Sequence, residues 1–290
     1  MIIDGKSIAK DIQVDLAREI AQIKGRKPCL SVILVGNHPS SEIYVKRKTD
    51  ACAEVGIQSK KITLPDIISQ NELLNQIENL NRDPIVDGIL VQLPLPPHIN
   101  TSAILQAVSP VKDVDGFHPF NIGKLMIGEP DCFSPCTPLG IQILLAKLNI
   151  SVAGKHVAIV GRSNIVGKPM AALLMQSAPQ ANATVTILHS QSQNFTAICS
   201  TCDIVIIAIG KPLFLKKEMV KPGAVVIDVG INRITDASRK SGYRIVGDAD
   251  FENLVNHCSY ITPVPGGVGP MTIAMLLSNT LKSFKQRQTL

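Results

Sequence analysis

The chain has 290 residues, 45% hydrophobic and 3% aromatic with no tryptophan, which suits two domains of ordinary size with aliphatic cores. Its formal net charge of +6 is spread out, with no basic run interleaved with aromatic residues, so a nucleic-acid partner is not predicted. The sequence shows neither the regions of a signal peptide nor an apolar run long enough to span a membrane, so we expect no membrane partner.

Strands and helices alternate in the predicted order of elements, which favours parallel sheets covered by helices. The capping-box spacing of Ser69 and Glu72 predicts one helix start, and Pro138 suits the first position of another. The predicted strands are 29–35, 57–64 and 85–91, with four more that begin near residues 157, 184, 204 and 224. The predicted helices are 41–55, 69–81, 101–108, 137–149, one from about 166, and 271–285.

The predicted helix at 41–55 carries Tyr44 and Lys48, which are four residues apart and therefore share one face. A lysine acts as a base when burial or cationic neighbours favour its neutral form, and Lys46 and Arg47 are such neighbours. The local pattern alone favours a surface Tyr–Lys pair. Short-chain dehydrogenases use the same Tyr-x-x-x-Lys spacing, but their glycine-rich turn precedes the pair, so that class is disfavoured here.

Two loop segments follow in the first half of the chain. Gln92 comes directly after a predicted strand, where α/β sheets bind ligands, and its amide can both donate and accept hydrogen bonds. A rigid proline-rich connection is the alternative interpretation. The run KDVDGF places Asp113 and Asp115 before a glycine, which is typical of an Asx turn. A carboxylate in a crevice can also accept two N–H bonds from an aminopyrimidinone edge.

The stretch HVAIVGRSNIVGKP, residues 156–169, combines a buried strand, a glycine turn and a helix start. Backbone N–H groups and the helix dipole make such a turn an anion site, as in dinucleotide-binding proteins. The match to G-x-G-x-x-G is imperfect, because Ser163 holds the second glycine position and Gly167 comes one residue late. An ordinary strand-to-helix turn therefore stays open on the local pattern.

The charges around this turn favour NADP as the cofactor. The sequence has no Asp or Glu between Asp131 and Asp203, and a cationic segment attracts a polyanion. NAD sites usually end the second strand on an acid that binds the ribose 2′-hydroxyl. Here that strand ends on His189-Ser190, and Arg162 and Ser190 are suited to a 2′-phosphate instead.

The segment TPVPGGVGPMT, residues 262–272, is dense in proline and glycine. Such a loop is stiff, yet its backbone can approach a ligand closely. This composition is hard to explain by a simple connection, so we interpret the segment as a ligand-contacting loop.

The seven cysteines are scattered and odd in number, which favours free thiols in a reducing compartment and hence a cytoplasmic protein. Cys199 and Cys202 form one CxxC pair, which is a weak zinc signal without a second pair and is better explained by a helix-to-strand junction. The six histidines show no metal-ligand spacing, so no metal is predicted.

Taken together, the motifs resemble those of the bifunctional methylenetetrahydrofolate dehydrogenase/cyclohydrolase family over nearly the full length. Their number and order make the resemblance specific. The motifs are Tyr44-x-x-x-Lys48, VQLPLP (91–96), KDVDGF (112–117), GRSNIVGKP (161–169), DVGIN (228–232) and PVPGGVGPMT (263–272).

The resemblance implies two reactions of one-carbon folate metabolism, which supplies purine biosynthesis. 5,10-Methylenetetrahydrofolate gives a hydride to NADP, and water then opens the 5,10-methenyl cation to 10-formyltetrahydrofolate. The resemblance also implies a homodimer with tetrahydrofolate substrates. The implied fold is a two-domain α/β structure with a cleft between the domains: a folate-binding catalytic domain (1–137 and 271–290) and a Rossmann-like, doubly wound NADP-binding domain (138–270).

The resemblance also implies roles for individual residues. Lys48 would be the general acid/base, Tyr44 would pack on the substrate, Gln92 would bind the lysine and Asp115 would hold the pterin. Further residues implied at the folate site are Val91, Leu93, Pro265, Gly266, Gly267, Val268 and Gly269. Those implied at the cofactor site are Gly161, Arg162, Ser163, Ser190 and Ile231.

The residues by themselves, without the family resemblance, leave two other functions open. One is a different NADP oxidoreductase, such as a two-domain dehydrogenase of a carboxylated small molecule. The other is a nucleotide sensor that binds the cofactor without turnover. Formation of NADPH from methylenetetrahydrofolate separates the folate enzyme from both.

Overall fold

The computed structural model describes residues 1–239 and 242–288, which divide into two compact units. The three-strand unit comprises Lys10–Cys136 and the residues from Ile273 onward. The five-strand unit comprises Met1–Ala9 and Thr137–Thr272. No helix in the described ranges combines the length and hydropathy needed to cross a bilayer.

The elements alternate between strand and helix over most of the chain. The helices are α1 (Gly5–Ala21), α2 (Pro39–Val55), α3 (Gln70–Arg82), α4 (Thr101–Ala107), α5 (Pro119–Ile127), α6 (Cys136–Lys147), α7 (Gly167–Leu174), α8 (Phe195–Cys199), α9 (Phe251–Leu254) and α10 (Val268–Gln288). The strands are β1 (Cys29–Val35), β2 (Gln58–Leu64), β3 (Gly88–Val91), β4 (His156–Val160), β5 (Thr184–Leu188), β6 (Ile204–Ile207), β7 (Val225–Asp228), β8 (Asn232–Thr235), β9 (Tyr243–Val246) and β10 (Tyr260–Ile261).

The three-strand unit contains a parallel sheet in the order β2-β1-β3. Every residue of the central strand β1 is buried, as its run CLSVILV, apolar except for Ser31, predicts. The chain crosses from β1 to β2 on one side and then returns past β1 to form β3. The winding therefore reverses between β1 and β3, and ligands bind α/β sheets at the carboxyl ends of strands at such a point.

The five-strand unit contains a parallel sheet in the order β10-β7-β6-β4-β5, accompanied by the antiparallel hairpin β8-β9. Strand β4 pairs with β5 on one side and with β6 on the other, so the winding reverses between β4 and β6. The predicted α/β class, with a Rossmann-like, doubly wound second sheet, is confirmed.

The sequence patterns located most elements within a few residues, and the capping box of Ser69 and Glu72 is present at the start of α3. Strand β3 begins later than predicted, because the Asp83 side chain accepts a hydrogen bond from the Ile85 N–H at 2.9 Å and holds a turn there. Helices α1 and α5, the hairpin β8-β9, and the short elements α8, α9 and β10 were not predicted. The missed signal for α1 is apolar residues at every fourth position, namely Ile8, Ile12, Leu16 and Ile20.

The predicted domain bounds differ from the compact units at the amino-terminal end. Residues 1–9 belong to the five-strand unit and not to the unit that contains residues 10–136. Ile3 N–H donates to the Ile261 carbonyl at 2.8 Å, and Ile261 N–H donates to the Met1 carbonyl at 3.0 Å. These bonds tie the first residues to β10, and no local sequence pattern indicates this pairing.

Candidate active site

Lys48 and Gln92 are in direct contact in the three-strand unit. The Lys48 Nζ donates a hydrogen bond to the Gln92 Oε1 at 3.1 Å. The Gln92 Nε2 donates to the Leu93 carbonyl at 2.7 Å, which turns the amide so that its oxygen faces the lysine. Gln92 directly follows β3, at the winding reversal, so the pair lies where this sheet is expected to bind a ligand.

Helix α2 orients Tyr44 and Lys48 toward the protein. Both side chains are half-buried, whereas Lys46 and Arg47 between them are exposed. Lys46 forms an ion pair with Asp50 at 2.7 Å on the solvent face. Burial raises the pKa of Tyr44, so its hydroxyl stays neutral at physiological pH. The Lys48–Gln92 bond and this burial favour a site over a surface Tyr–Lys pair.

Asp115 lies near Lys48. Burial raises the pKa of Asp115, while the positive charge of Lys48 acts in the opposite direction. The segment that carries Asp115 runs beside β3, because Ile89 N–H donates to the Lys112 carbonyl at 2.8 Å. The sheet thus brings together Lys48, Gln92 and Asp115 from three separate stretches of sequence.

Asp113 has a different role from Asp115. Its carboxylate accepts hydrogen bonds from Phe117 N–H at 3.1 Å, His118 N–H at 2.8 Å and Asn121 Nδ2 at 2.8 Å. Burial raises the pKa of Asp113 to about 7 against these three donors. The Asx-turn interpretation therefore applies to Asp113, whose bonds shape the loop after Asp115.

Cys136 and Asn279 support the Asp115 segment, and sequence reasoning missed both. The Asn279 Nδ2 donates to the Val114 carbonyl at 2.8 Å, and the Cys136 thiol donates to the same carbonyl at 3.3 Å. Burial and the neighbouring Asp115 raise the pKa of Cys136, so the thiol remains protonated. No local sequence pattern indicates the role of either residue, because their hydrogen-bond partners are distant in sequence.

The glycine turn after β4 has the close backbone approaches of a nucleotide-binding turn. Gly161 has φ +123°, and a Cβ there would overlap the Ala208 carbonyl oxygen. A Cβ on Gly167 would overlap the Gly161 carbonyl oxygen and lie 2.8 Å from the Arg162 Cα. Gly167 therefore performs the packing role of the third motif glycine.

Ser163 caps the start of α7 from within the turn. Its Oγ accepts hydrogen bonds from Val166 N–H at 3.1 Å and from Gly167 N–H at 3.4 Å. The general expectation for a turn of this kind is that its backbone N–H groups are free to bind an anion. In this structure the serine side chain occupies them, so Ser163 shapes the turn.

The remaining predicted cofactor residues lie at the carboxyl edge of the same sheet. Val160 pairs with Leu188 in adjacent strands, so Arg162 and Ser190 each stand two residues beyond a strand end. Both are exposed. Ile231 follows β7 and is 51% exposed. This edge offers an arginine and hydroxyl groups next to a glycine turn, which fits a dinucleotide that carries an additional phosphate.

The predicted folate-contacting loop, residues 265–269, belongs to the five-strand unit. Gly267 N–H donates to the Pro263 carbonyl at 2.9 Å, and a Cβ on Gly267 would lie 2.7 Å from that same oxygen. Lys6 N–H donates to the Gly266 carbonyl at 3.0 Å. The loop is compact, ends in the buried Val268 and leads directly into α10. The predicted site residues Val91, Gln92 and Leu93 belong instead to the three-strand unit.

Cys199 and Cys202 lie at a helix-to-strand junction, as their spacing suggested. Cys199 ends α8, and the Cys202 thiol donates to the Ile198 carbonyl at 3.3 Å. Within residues 1–239 and 242–288, no three His, Cys, Asp or Glu side chains form a group that could hold a metal ion.

A parallel sheet with a glycine turn at its winding reversal and a cationic edge defines a dinucleotide-binding α/β protein. The Lys48–Gln92–Asp115 cluster adds an amine and a carboxylate, two groups that can exchange protons, to that class. Sequence profiles identify the family. The catalytic domain of tetrahydrofolate dehydrogenase/cyclohydrolase matches residues 3–115, and its NAD(P)-binding domain matches residues 135–288. The chain therefore belongs to the tetrahydrofolate dehydrogenase/cyclohydrolase family, as the motifs indicated.

Full-length relatives support this membership. The bifunctional protein FolD of Protochlamydia amoebophila is 58% identical over 100% of this chain and 99% of its own length. The crystal structure of the bifunctional enzyme FolD from Campylobacter jejuni has a TM-score of 0.93 at 49% identity, with 99% of each chain covered. The Trypanosoma brucei methylenetetrahydrofolate dehydrogenase-cyclohydrolase, complexed with NADP cofactor and inhibitor, has a TM-score of 0.94 at 40% identity, covering 100% of this chain and 99% of its own.

Proposed function

We propose that this protein oxidises 5,10-methylenetetrahydrofolate to the 5,10-methenyl form with NADP, and then hydrolyses that product to 10-formyltetrahydrofolate. The observation that carries the proposal is the 3.1 Å bond between Lys48 and Gln92 beside Asp115. Its context is membership of a family whose full-length relatives are named bifunctional.

Lys48 serves the hydrolytic step as the general base. The methenyl carbon is already cationic, so water needs only a positioned group to take its proton as the C–O bond forms. The neutral amine form of Lys48 takes that proton and then passes it to solvent. The remaining hydroxyl proton moves to N5 as the C–N5 bond breaks, which leaves the formyl group on N10. Gln92 holds the lysine through its oxygen and thereby fixes where the nitrogen points.

The five-strand unit binds NADP, which when bound accepts a hydride from the folate methylene carbon. Gly161 and Gly167 permit the close backbone contacts that shape this turn, which is the proposed position of the pyrophosphate. Arg162 and Ser190 bind the 2′-phosphate from two adjacent strand ends. Hydride transfer requires the two reacting carbons to be in contact, and correct orientation accounts for much of the acceleration.

Asp115 is the proposed anchor of the pterin ring, because an ionised carboxylate accepts two N–H bonds from an aminopyrimidinone. Asp115→Asn keeps the size and turns one acceptor into a donor. We expect both activities to fall together, with weaker binding of a folate analogue by calorimetry, since both reactions need the same bound ring. The matched control is Asp50→Asn, on the exposed face of α2. Unchanged analogue affinity in Asp115→Asn would assign Asp115 to a structural role.

Arg162 is the proposed determinant of cofactor choice. A charge-assisted pair with phosphate contributes on the order of 1.5–3 kcal/mol. Arg162→Ala should therefore raise the KM for NADP by about 10-fold or more while the KM for NAD changes little. Lys147→Ala removes an exposed cation elsewhere on the same unit and should affect neither. Equal changes in both KM values for Arg162→Ala would contradict the assignment.

The proposed function is tested directly by adding methylenetetrahydrofolate and NADP to the purified protein. NADPH formation by absorbance, together with a separate assay of methenyltetrahydrofolate hydrolysis, supports the bifunctional enzyme. Cofactor binding without turnover would indicate a nucleotide sensor. Turnover of only a carboxylated alcohol would indicate a different NADP oxidoreductase.

We also propose a cytoplasmic homodimer that acts on tetrahydrofolate substrates. The seven cysteines are free and buried, which suits a reducing compartment. The resemblance to the family supports the dimer, and sedimentation equilibrium measures it. A single species with the monomer mass at micromolar concentration would contradict it.

A further inference from the structure

Two buried carboxylates, Asp228 and Asp248, lie at the carboxyl edge of the five-strand sheet, and neither belongs to the predicted site. Asp248 N–H donates to the Asp228 carboxylate at 2.9 Å, and Gly230 N–H donates to the same oxygen at 2.9 Å. A Cβ on Gly230 would overlap the Asp248 carboxylate. The backbone is thus built around these two side chains, and together they join the loops that follow β6, β7 and β9.

Asp248 has the more specific set of contacts. One carboxylate oxygen accepts Ile209 N–H at 2.7 Å and Gly210 N–H at 2.9 Å, directly beyond β6. The other oxygen accepts the Asn232 Nδ2 at 2.8 Å, beyond β7. The side chain is completely buried. All three partners are donors, so an ionised carboxylate satisfies them without placing one donor against another.

The direction of the cofactor follows from the residues proposed above, and the inference rests on that assignment. Arg162 and Ser190 place the 2′-phosphate beyond β4 and β5, and the turn at Gly161 takes the pyrophosphate. The sheet order then leaves the ends of β6 and β7 for the other half of the dinucleotide. These are the two loops that Asp248 holds.

Gly210 marks the exposed side of the loop beyond β6. It has φ +65°, and a Cβ added there would have no neighbour within 4 Å among the described residues. The backbone there is open to a ligand on one side and fixed by Asp248 on the other. We propose that Asp248 is a positioning residue for the nicotinamide half of the cofactor site, acting through Ile209, Gly210 and Asn232.

Calorimetry with two ligands tests this role. The ligands are NADP and adenosine 2′,5′-bisphosphate, which carries the 2′-phosphate but lacks the nicotinamide half. Asp248→Asn replaces one of the two carboxylate oxygens with an NH2 group, which cannot accept the hydrogen bond that the oxygen accepts in the parent protein. We expect its Kd for NADP to rise about 10-fold or more, and its Kd for the bisphosphate to stay within about twofold of the parent value.

Matched variants separate positioning from general damage. Asp203→Asn removes a carboxylate that accepts His156 N–H at 3.0 Å at the opposite edge of the same sheet, and should leave both Kd values unchanged. Asn232→Asp sets two carboxylates against each other and should weaken NADP binding. The exchanged pair Asp248→Asn with Asn232→Asp restores a donor–acceptor match and should recover part of the lost affinity.

Three outcomes decide the matter. Parent-like NADP affinity in Asp248→Asn overturns the inference. Equal weakening of NADP and the bisphosphate in that variant also overturns it, because the effect is then on the whole unit. If the parent protein binds neither ligand, the proposed NADP function itself fails, and this result is distinct from the other two.

Discussion

Lys48→Met is expected to lower the rate of methenyltetrahydrofolate hydrolysis by about 10²–10⁴-fold, the usual contribution of a positioned acid or base. Methionine keeps nearly the length of the side chain but removes the nitrogen that contacts Gln92 at 3.1 Å. Dehydrogenase activity should fall less, since hydride transfer depends mainly on proximity and orientation. NADP affinity should remain, because the cofactor residues belong to the five-strand unit. The two activities are measured separately on folded protein.

Lys46→Met is the matched control for this variant. Lys46 lies on the same helix two residues earlier, but its side chain is exposed and pairs with Asp50. Its replacement should leave the rate of hydrolysis unchanged.

Tyr44→Phe should lower the rate of hydrolysis less than Lys48→Met does, because the packing of the ring survives the loss of the hydroxyl. Hydrolysis at the parent rate in Lys48→Met would remove the lysine from the mechanism.

Asp87→Ala is expected to destabilise the three-strand unit by about 3–5 kcal/mol, since it leaves two partly buried arginines without the buried carboxylate that binds them. The Asp87 carboxylate is fully buried and binds Arg26 at 2.6 and 2.8 Å, Arg287 at 2.7 Å and Cys29 N–H at 2.9 Å. These bonds connect the starts of β1 and β3 with the end of α10. Denaturant unfolding, followed through the transition of this unit, measures the change.

The control for Asp87→Ala is Asp50→Ala, which breaks the Lys46–Asp50 ion pair. The side chains of that pair are 75% and 55% exposed, so its loss should cost at most about 1 kcal/mol. Equal denaturation midpoints for Asp87→Ala and Asp50→Ala would contradict a central role for the buried Asp87 carboxylate. The comparison holds the substitution constant and varies only the burial and the number of partners.

The parts of the fold that sequence predicts are those with local causes. Strand β1 is apolar at every position except Ser31, and the start of α3 is fixed by two side chains three residues apart. The glycine turn at 161–167 also has a local cause, since backbone overlap excludes a Cβ at both glycines. Helix α1 also carries a regular apolar pattern, so its sequence contains a local signal for a helix even though the helix was not predicted.

The parts that sequence does not predict depend on distant partners. The local pattern alone makes both Asp113 and Asp115 candidates for an Asx turn, and the donors from residues 117–121 identify Asp113 as the residue that forms it. Asn279 reaches Val114 across 165 positions. Asp248 acquires its role from Ile209 and Gly210, 39 and 38 positions earlier. These long-range hydrogen bonds cannot be recognised from a short stretch of neighbouring residues.

The connection of α10 to the Asp87 cluster affects how the protein is made. The three-strand unit begins near residue 10, yet Ser283 donates to the Asp87 carbonyl at 2.6 Å and Arg287 binds its carboxylate. Residues 137–272 are synthesised between these two parts. The three-strand unit is therefore completed only after residues 137–272 have been synthesised, and until then its nascent sheet exposes apolar surface, which favours chaperone binding.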